Sequence, residues 1–213
     1  MKASIGSKTL SLTQFAILLA IEALFCFTPL GSLPALGPIV ATLAMVPVIL
    51  TAVVMGTGYG TIMGAFTGLF SFLIWSFAPP NPLTAFVFTP FYSFGQARGN
   101  FWSLVICFVP RILVGTVTGA CFHLFSRLKW RRAVAYGLSG AIGSLTNTIL
   151  VVGGIFLFFG PAYAAVLKQS TDVLLGFLAL TILTSGIPEA AIGAIAAYAI
   201  GYPIRKYLLR RSE

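Results

Sequence analysis

The stretch Tyr59–Phe77, YGTIMGAFTGLFSFLIWSF, contains no charged residue and is long enough to cross a lipid bilayer as one helix. Glycine recurs every four residues, at positions 56, 60, 64 and 68. Positions four residues apart lie on one face of a helix, so this face carries almost no side chain. Small residues allow helix backbones to approach closely inside a membrane. The stretch therefore predicts a membrane-spanning helix packed against a neighbour.

The composition of the whole chain agrees with this local pattern. Hydrophobic residues make up 58% of the 213 positions, charged residues make up 8%, and the mean hydropathy is +1.00. A soluble domain has roughly 25% charged residues. At ~20 residues per crossing, the length accommodates about six transmembrane helices and leaves no room for a second domain. We therefore predict an all-α, polytopic integral membrane protein, with one compact six-helix bundle over residues 1–213.

Apolar stretches and breaker residues divide the chain further. The predicted transmembrane helices cover about 13–27, 39–55, 59–77, 100–125, 133–159 and 188–207. The last helix is predicted to begin at Pro188, because proline is favourable in a first helical turn. Val173–Thr184 is apolar but short, so it is predicted to be interfacial or re-entrant. Residues 78–99 combine four prolines with several aromatic residues, which predicts an outer lid loop.

The distribution of basic residues predicts the orientation. With six crossings, ten lysines and arginines fall on the side that holds both termini, and only Arg98 and Lys168 fall on the other. Because basic residues accumulate on the cytoplasmic side, we expect both termini in the cytoplasm of a prokaryotic cell and the lid loop outside. A separate crossing at Val173–Thr184 would export the basic C-terminus.

Several function classes fit the sequence poorly. One histidine and four acidic residues are too few for the paired acid–base or metal constellations of an intramembrane enzyme. No phosphate-binding glycine loop is present, so ATP hydrolysis would need another chain. The basic residues are topology signals in short clusters, which argues against nucleic-acid binding. A stand-alone secondary transporter would have inverted repeats, and none is evident. A structural membrane protein stays open as a further alternative.

A few polar residues within or beside the predicted helices are the candidate functional groups. Charged groups near the bilayer core are costly and generally face a cavity or a partner. An internal ion pair is the alternative explanation for Arg111. The candidates inside the helices are Glu22, Arg111, Thr146, Asn147 and Glu189, and Arg98 lies beside the lid loop.

The order of these features resembles the substrate-binding S component of energy-coupling factor (ECF) transporters. The features are six short helices, Ala16 and Ala20 on the first helix, the aromatic loop, and Ile187-Pro188 before the last helix. The resemblance implies vitamin binding from outside, followed by toppling in the membrane to release the vitamin. It also implies a transmembrane coupling (T) subunit that docks on Ala16 and Ala20, and two cytoplasmic ATPase subunits. ATP would be used by those partners, and this chain would hold no cofactor or metal.

The fifth predicted helix indicates which members of the family the sequence resembles most. Its stretches Gly143–Thr148, GSLTNT, and Val152–Gly160, VGGIFLFFG, are most similar to the pantothenate-specific members of the family. Folate, riboflavin or another vitamin remains an alternative.

The chemistry of pantothenate then suggests roles for the candidates. The carboxylate of the vitamin calls for an arginine, for which Arg98 is the first choice and Arg111 the second. Asn147, with Thr146 beside it, suits an amide or hydroxyl, and Glu189 could accept from hydroxyls or balance an arginine. Apolar walls and a lid would come from Trp75, Phe91 and Tyr92.

Overall fold

The computed structural model describes residues 7–28, 43–168 and 171–212, and it is almost entirely helical. Residues 29–42, which include the start of the second predicted helix, lie outside the described residues. The described elements are α1 (Ser7–Phe27), α2 (Met45–Met55), α3 (Thr57–Phe77), a 3₁₀ turn (Pro82–Val87), β1 (Ser93–Phe94), β2 (Ala97–Arg98), α4 (Phe101–Arg127), α5 (Arg132–Val166), α6 (Thr171–Thr181), α7 (Ile187–Ala196) and α8 (Tyr202–Ser212).

The all-α membrane fold is confirmed. Within the described ranges, five helical stretches are long and apolar enough to cross a membrane, and α2 adds a shorter apolar helix. The five stretches are Lys8–Phe27, Thr57–Phe77, Phe101–Arg127, Arg132–Val166 and Val173–Tyr207. Together with α2 they are compatible with the six-helix prediction.

The prediction for the last helix was wrong in one respect. Val173–Thr184 is not a separate segment, and Pro188, in the first turn of α7, does not start an independent helix. Instead α6, α7 and α8 continue into one another through two π-helical turns, Ile182–Gly186 and Ala197–Gly201. Proline lacks an N–H and crowds the preceding turn, and π-bulges are a local adjustment that can accommodate such an interruption in a transmembrane helix. Counted as one crossing, the continuous helix leaves the total at six, so both termini are still expected on the same side of the membrane.

The glycine face of α3 packs against α4, as predicted. A Cβ added at Gly64 would overlap the carbonyl oxygen of Arg111, and one added at Gly115 would overlap that of Gly60. Only glycine permits this approach of the two backbones. Gly56 has a different role from the other members of the series, because it precedes α3 with a φ of 100° and forms the turn between α2 and α3.

Two apolar clusters fill the bundle at different levels. The lid-side cluster joins the lid loop to the adjacent halves of α4, α5 and α6, and its members include Phe86, Phe88, Ile106, Val151, Ile155, Phe159, Tyr163, Leu174 and Leu178. The far cluster joins α2 to the other halves of the helices, and its members include Met45, Val48, Ile49, Met63, Val114, Phe122, Tyr136 and Ala197.

The lid loop is partly built into the core. Phe86 and Phe88 are buried, and the Phe86 ring meets the Phe159 ring edge to face. The second half of the loop forms a small hairpin in which Ser93 pairs with Arg98. Asn100 caps α4 by accepting a hydrogen bond from the backbone N–H of Trp102. The loop therefore closes one end of the bundle over the lid-side cluster.

Candidate functional site

Buried polar side chains lie between the two apolar clusters and form what we call the polar layer. On α4, Arg111 falls between Ile106 of the lid-side cluster and Val114 of the far cluster. The same order occurs on α5, where polar residues lie between Val151 of the lid-side cluster and Tyr136 of the far cluster. It occurs again on the last helix, between Leu178 of the lid-side cluster and Ala197 of the far cluster. The members of the polar layer are Arg111, Asn147, Thr148, Ser185 and Glu189, and all are buried.

Arg111 is the cation of the polar layer. Its Nη1 donates a hydrogen bond of 2.9 Å to the backbone oxygen of Ile106, and its guanidinium carbon lies 5.6 Å from the centre of the Phe88 ring. It also interacts electrostatically with Glu189. Its Nε is buried and has no hydrogen-bond partner among the residues that the structure describes. The guanidinium therefore keeps a donor for a further group while its position is defined by α4 and the lid loop.

The opposite side of the layer comes from α5 and α7. Thr148 Oγ1 donates a hydrogen bond of 3.1 Å to Glu189 Oε2, which joins the two helices. This contact is possible because Gly186 leaves room for Thr148, whose methyl group would meet an added Cβ at 3.0 Å. Asn147, the residue before Thr148, is buried, and within residues 7–28, 43–168 and 171–212 its Oδ1 has no hydrogen-bond partner. The layer thus contains one donor and one acceptor for which the described residues supply no partner.

These unpartnered atoms define what the site can do chemically. A buried polar atom without a hydrogen bond costs ~1–3 kcal/mol, more for charged groups, so native structures rarely leave one without a purpose. A small ligand carrying an anionic group and an amide or hydroxyl would satisfy both Arg111 Nε and Asn147 Oδ1. The apolar clusters on either side would enclose its hydrocarbon part, as is usual for small-molecule sites.

The structure brings together only some of the residues that the sequence singled out. Arg111, Asn147 and Glu189 lie in the polar layer. Trp75 is adjacent, because its ring stacks on Phe88 at 4.5 Å between centroids. Thr146 donates to the backbone oxygen of Ile142 within α5.

The lid residues lie further away. Arg98 is exposed on β2, and Phe91 is 78% exposed, while Tyr92 is partly buried in the loop between them. Arg111 lies ten residues into α4, ~15 Å along the helix axis from its start. Arg98, which precedes α4, is therefore separated from the polar layer along the helix.

Sequence reasoning missed Phe88, Thr148 and Ser185. Ser185 precedes Glu189 by four residues, so the two share one helix face, and a buried polar pair of this spacing in an apolar helix was a usable signal. Phe88 carried no such signal, because nothing in the loop sequence distinguishes it from Phe86 or Phe91.

The first helix presents a separate surface. Ala16 and Ala20 are exposed on α1, four residues apart on one face. Only 11% of the apolar part of α1, Lys8–Phe27, is buried in the bundle. A flat, small-residue face on a peripheral helix suits close approach by another transmembrane helix.

The sequence is similar to a known family and to known proteins along most of its length. A family model described as "ECF transporter, substrate-specific component" matches residues 10–204. The chain is 32% identical over 201 residues to the Pantothenic acid transporter PanT of Lactococcus lactis subsp. cremoris, covering 94% of each chain. It is 27% identical over 209 residues to the Pantothenate transporter PanT of Leuconostoc mesenteroides subsp. mesenteroides, covering 92% of each chain. Matched over nearly its whole length, this multi-pass membrane protein belongs to the family of substrate-specific (S) components of ECF transporters.

Proposed function

We propose that the protein binds pantothenate as the S component of an ATP-driven uptake transporter. The observation that carries the proposal is a pair of buried atoms in the polar layer, Arg111 Nε and Asn147 Oδ1, that find no hydrogen-bond partner in the described part of the chain. Similarity to two proteins named as pantothenate transporters supports the choice of ligand. Folate and riboflavin are the alternatives to be excluded.

The polar layer matches the groups of pantothenate in kind. The carboxylate of the ligand would accept hydrogen bonds from Arg111, whose fork geometry suits a carboxylate. The amide N–H would donate to Asn147 Oδ1. The two hydroxyls would lie near Glu189 and Ser185, and the gem-dimethyl group would contact Phe88 and the lid-side cluster.

Arg111 takes precedence over Arg98 as the proposed carboxylate ligand. Arg111 is buried beside Phe88 and is within electrostatic reach of Glu189, whereas Arg98 is exposed on the lid hairpin. A charge-assisted hydrogen bond is stronger where water is excluded, because the effective dielectric constant is lower. We therefore assign Arg98, Phe91 and Tyr92 to the lid rather than to direct contact with the carboxylate.

Calorimetric titration of the purified protein tests the ligand assignment. We expect saturable binding of pantothenate and no binding of folate or riboflavin, since the donor and acceptor groups of the polar layer match pantothenate in kind. Binding of folate or riboflavin in place of pantothenate would contradict the substrate assignment and leave the family membership intact.

The proposal includes partners. As an S component, the chain would deliver its ligand to a transmembrane coupling subunit that docks on Ala16 and Ala20, and two cytoplasmic ATPases would supply the energy. This chain would then act as a binding subunit and hydrolyse no ATP. Co-purification of one coupling protein and two ATPase chains with the tagged protein is the expected result.

The orientation proposed for the chain places both termini in the cytoplasm and the lid loop outside, because ten basic residues fall on one side and two on the other. In a variant without Cys26, Cys107 and Cys121, a cysteine introduced at Ser126 should react with an impermeant reagent only from the cytoplasmic side. A cysteine introduced at Asn81 should react only from outside. The reverse labelling pattern would overturn the orientation.

A further inference from the structure

Glu22 is an acid in an unusual position. Among the described side chains of α1, Lys8–Phe27, it is the only one that is fully buried, and its exposure is 0%. Ala20 and Ala16 precede it by two and six residues, which places Glu22 on the opposite side of the helix from the exposed alanine face. The main polar attachment of α1 to the bundle is therefore a carboxyl group.

Glu22 and Thr67 belong to a chain of short polar contacts between α1 and α3. Its Oε1 lies 2.6 Å from Thr67 Oγ1 on α3, and Cys26 donates to the same oxygen at 3.2 Å. Thr67 Oγ1 also lies 3.0 Å from the backbone oxygen of Met63. A threonine hydroxyl has only one proton to donate, and the Met63 carbonyl has none. If Glu22 were ionised, one of these two short oxygen–oxygen contacts would lack a proton.

If Glu22 carries a proton, both oxygen–oxygen contacts of Thr67 Oγ1 can be hydrogen bonds. The carboxylic acid then donates to Thr67 Oγ1, and the threonine donates to Met63 within its own helix, as threonines in helices commonly do. The other carboxyl oxygen, Oε2, is buried without a partner among the described residues, which is far less costly for a neutral acid than for a carboxylate.

Within the described part of the chain, no basic side chain is found among the partners of Glu22. Of the helices packed on α1, α2 has no ionisable residue and α3 has only Tyr59, which lies two turns from Thr67 beside Phe15. Residues 29–42 contain no ionisable side chain in the sequence. On α4, Arg111 interacts electrostatically with Cys107, Glu189 and Cys26, and Glu22 is not among the partners found for it in the described part of the chain.

We propose that Glu22 is a proton-binding site within the membrane, and that its neutral carboxylic acid, hydrogen-bonded to Thr67, latches α1 onto α3. The latch is complete while the proton is bound. It is lost as pH rises and the proton leaves, because an uncompensated charge would then be buried between two helices. The inference concerns the attachment of α1 and does not depend on which vitamin binds.

Infrared spectroscopy of the purified full-length protein tests the proton directly. The chain has only four acidic residues, so the signal of one of them can be isolated by subtraction. At neutral pH, the wild type is expected to show a carbonyl band of a protonated carboxylic acid that is lost in Glu22→Gln. Glutamine can also donate to Thr67, so the variant should fold. A difference spectrum that shows a lost carboxylate band instead would overturn the proposal.

A second pair of variants tests the bond without altering the acid. Thr67→Val should shift the Glu22 carbonyl band towards higher frequency, because the band reports hydrogen bonding of the acid. Thr61→Val is the matched control, since Thr61 lies on the same helix but contacts Thr116, 2.9 Å away, and the band should not move. An unshifted band in Thr67→Val would contradict the latch.

Discussion

Replacing Arg111 by alanine is expected to weaken pantothenate binding by roughly ten-fold to a hundred-fold or more, the largest effect of any single substitution in the polar layer. A hydrogen bond to a charged group contributes ~1.5–3 kcal/mol, and a tenfold change in affinity corresponds to about 1.4 kcal/mol. Burial beside Phe88 places Arg111 where little water can replace the lost donors. Isothermal titration calorimetry of the purified variant measures the change.

Three controls test whether the effect arises from the guanidinium of Arg111 and the carboxylate of the ligand. Arg111→Lys should recover only part of the affinity, because lysine keeps the charge but loses the planar fork. Arg98→Ala should change the affinity little, since Arg98 is exposed on the lid hairpin. Pantothenol, which has a hydroxyl in place of the carboxylate, should bind the wild type poorly and be nearly indifferent to Arg111→Ala. If Arg98→Ala is the damaging variant and Arg111→Ala is neutral, the assignment of the carboxylate is reversed.

Replacing Ala20 or Ala16 by tryptophan is expected to abolish pantothenate uptake by cells that produce the complete transporter, while the isolated protein binds the vitamin nearly as well as the wild type. Both alanines are exposed on α1, which contributes no residue to the polar layer. A bulky ring on this face would prevent a partner helix from approaching closely. Substitutions at exposed positions usually change free energies by less than ~0.5 kcal/mol, which is about a two-fold change in affinity.

The matched control for docking is Ile21→Trp. Ile21 is exposed and already bulky, and it lies roughly 100° around α1 from Ala20. Uptake should persist in this variant. Loss of ligand binding in Ala16→Trp and Ala20→Trp, with the complex still assembled, would instead place the alanines in the bundle core or the binding site.

Whether a residue of the candidate site could be predicted from the sequence depends on the cost of placing its side chain inside the membrane. Arg111, Asn147 and Glu189 were identified because a polar side chain inside an apolar helix is costly and therefore conspicuous. Phe88 was not, because an aromatic residue in an apolar loop costs nothing wherever it points. The preference for Arg98 over Arg111 rested on its position beside the lid, and sequence cannot distinguish an exposed arginine from one that reaches inwards.

Composition and periodicity by themselves determined that this chain is an all-α membrane protein, that α3 packs through its glycines, and where most helices end. Those properties follow from local terms: the cost of unpaired backbone groups in lipid and the size of side chains on one helix face. Only the tertiary structure decided that α6 and α7 form one continuous helix despite Pro188, because the π-helical turn Ile182–Gly186 just before it accommodates what local rules treat as a break. It alone also decided that Arg111, Asn147 and Glu189 share one layer, since the level at which helices pack depends on contacts between residues far apart in the chain.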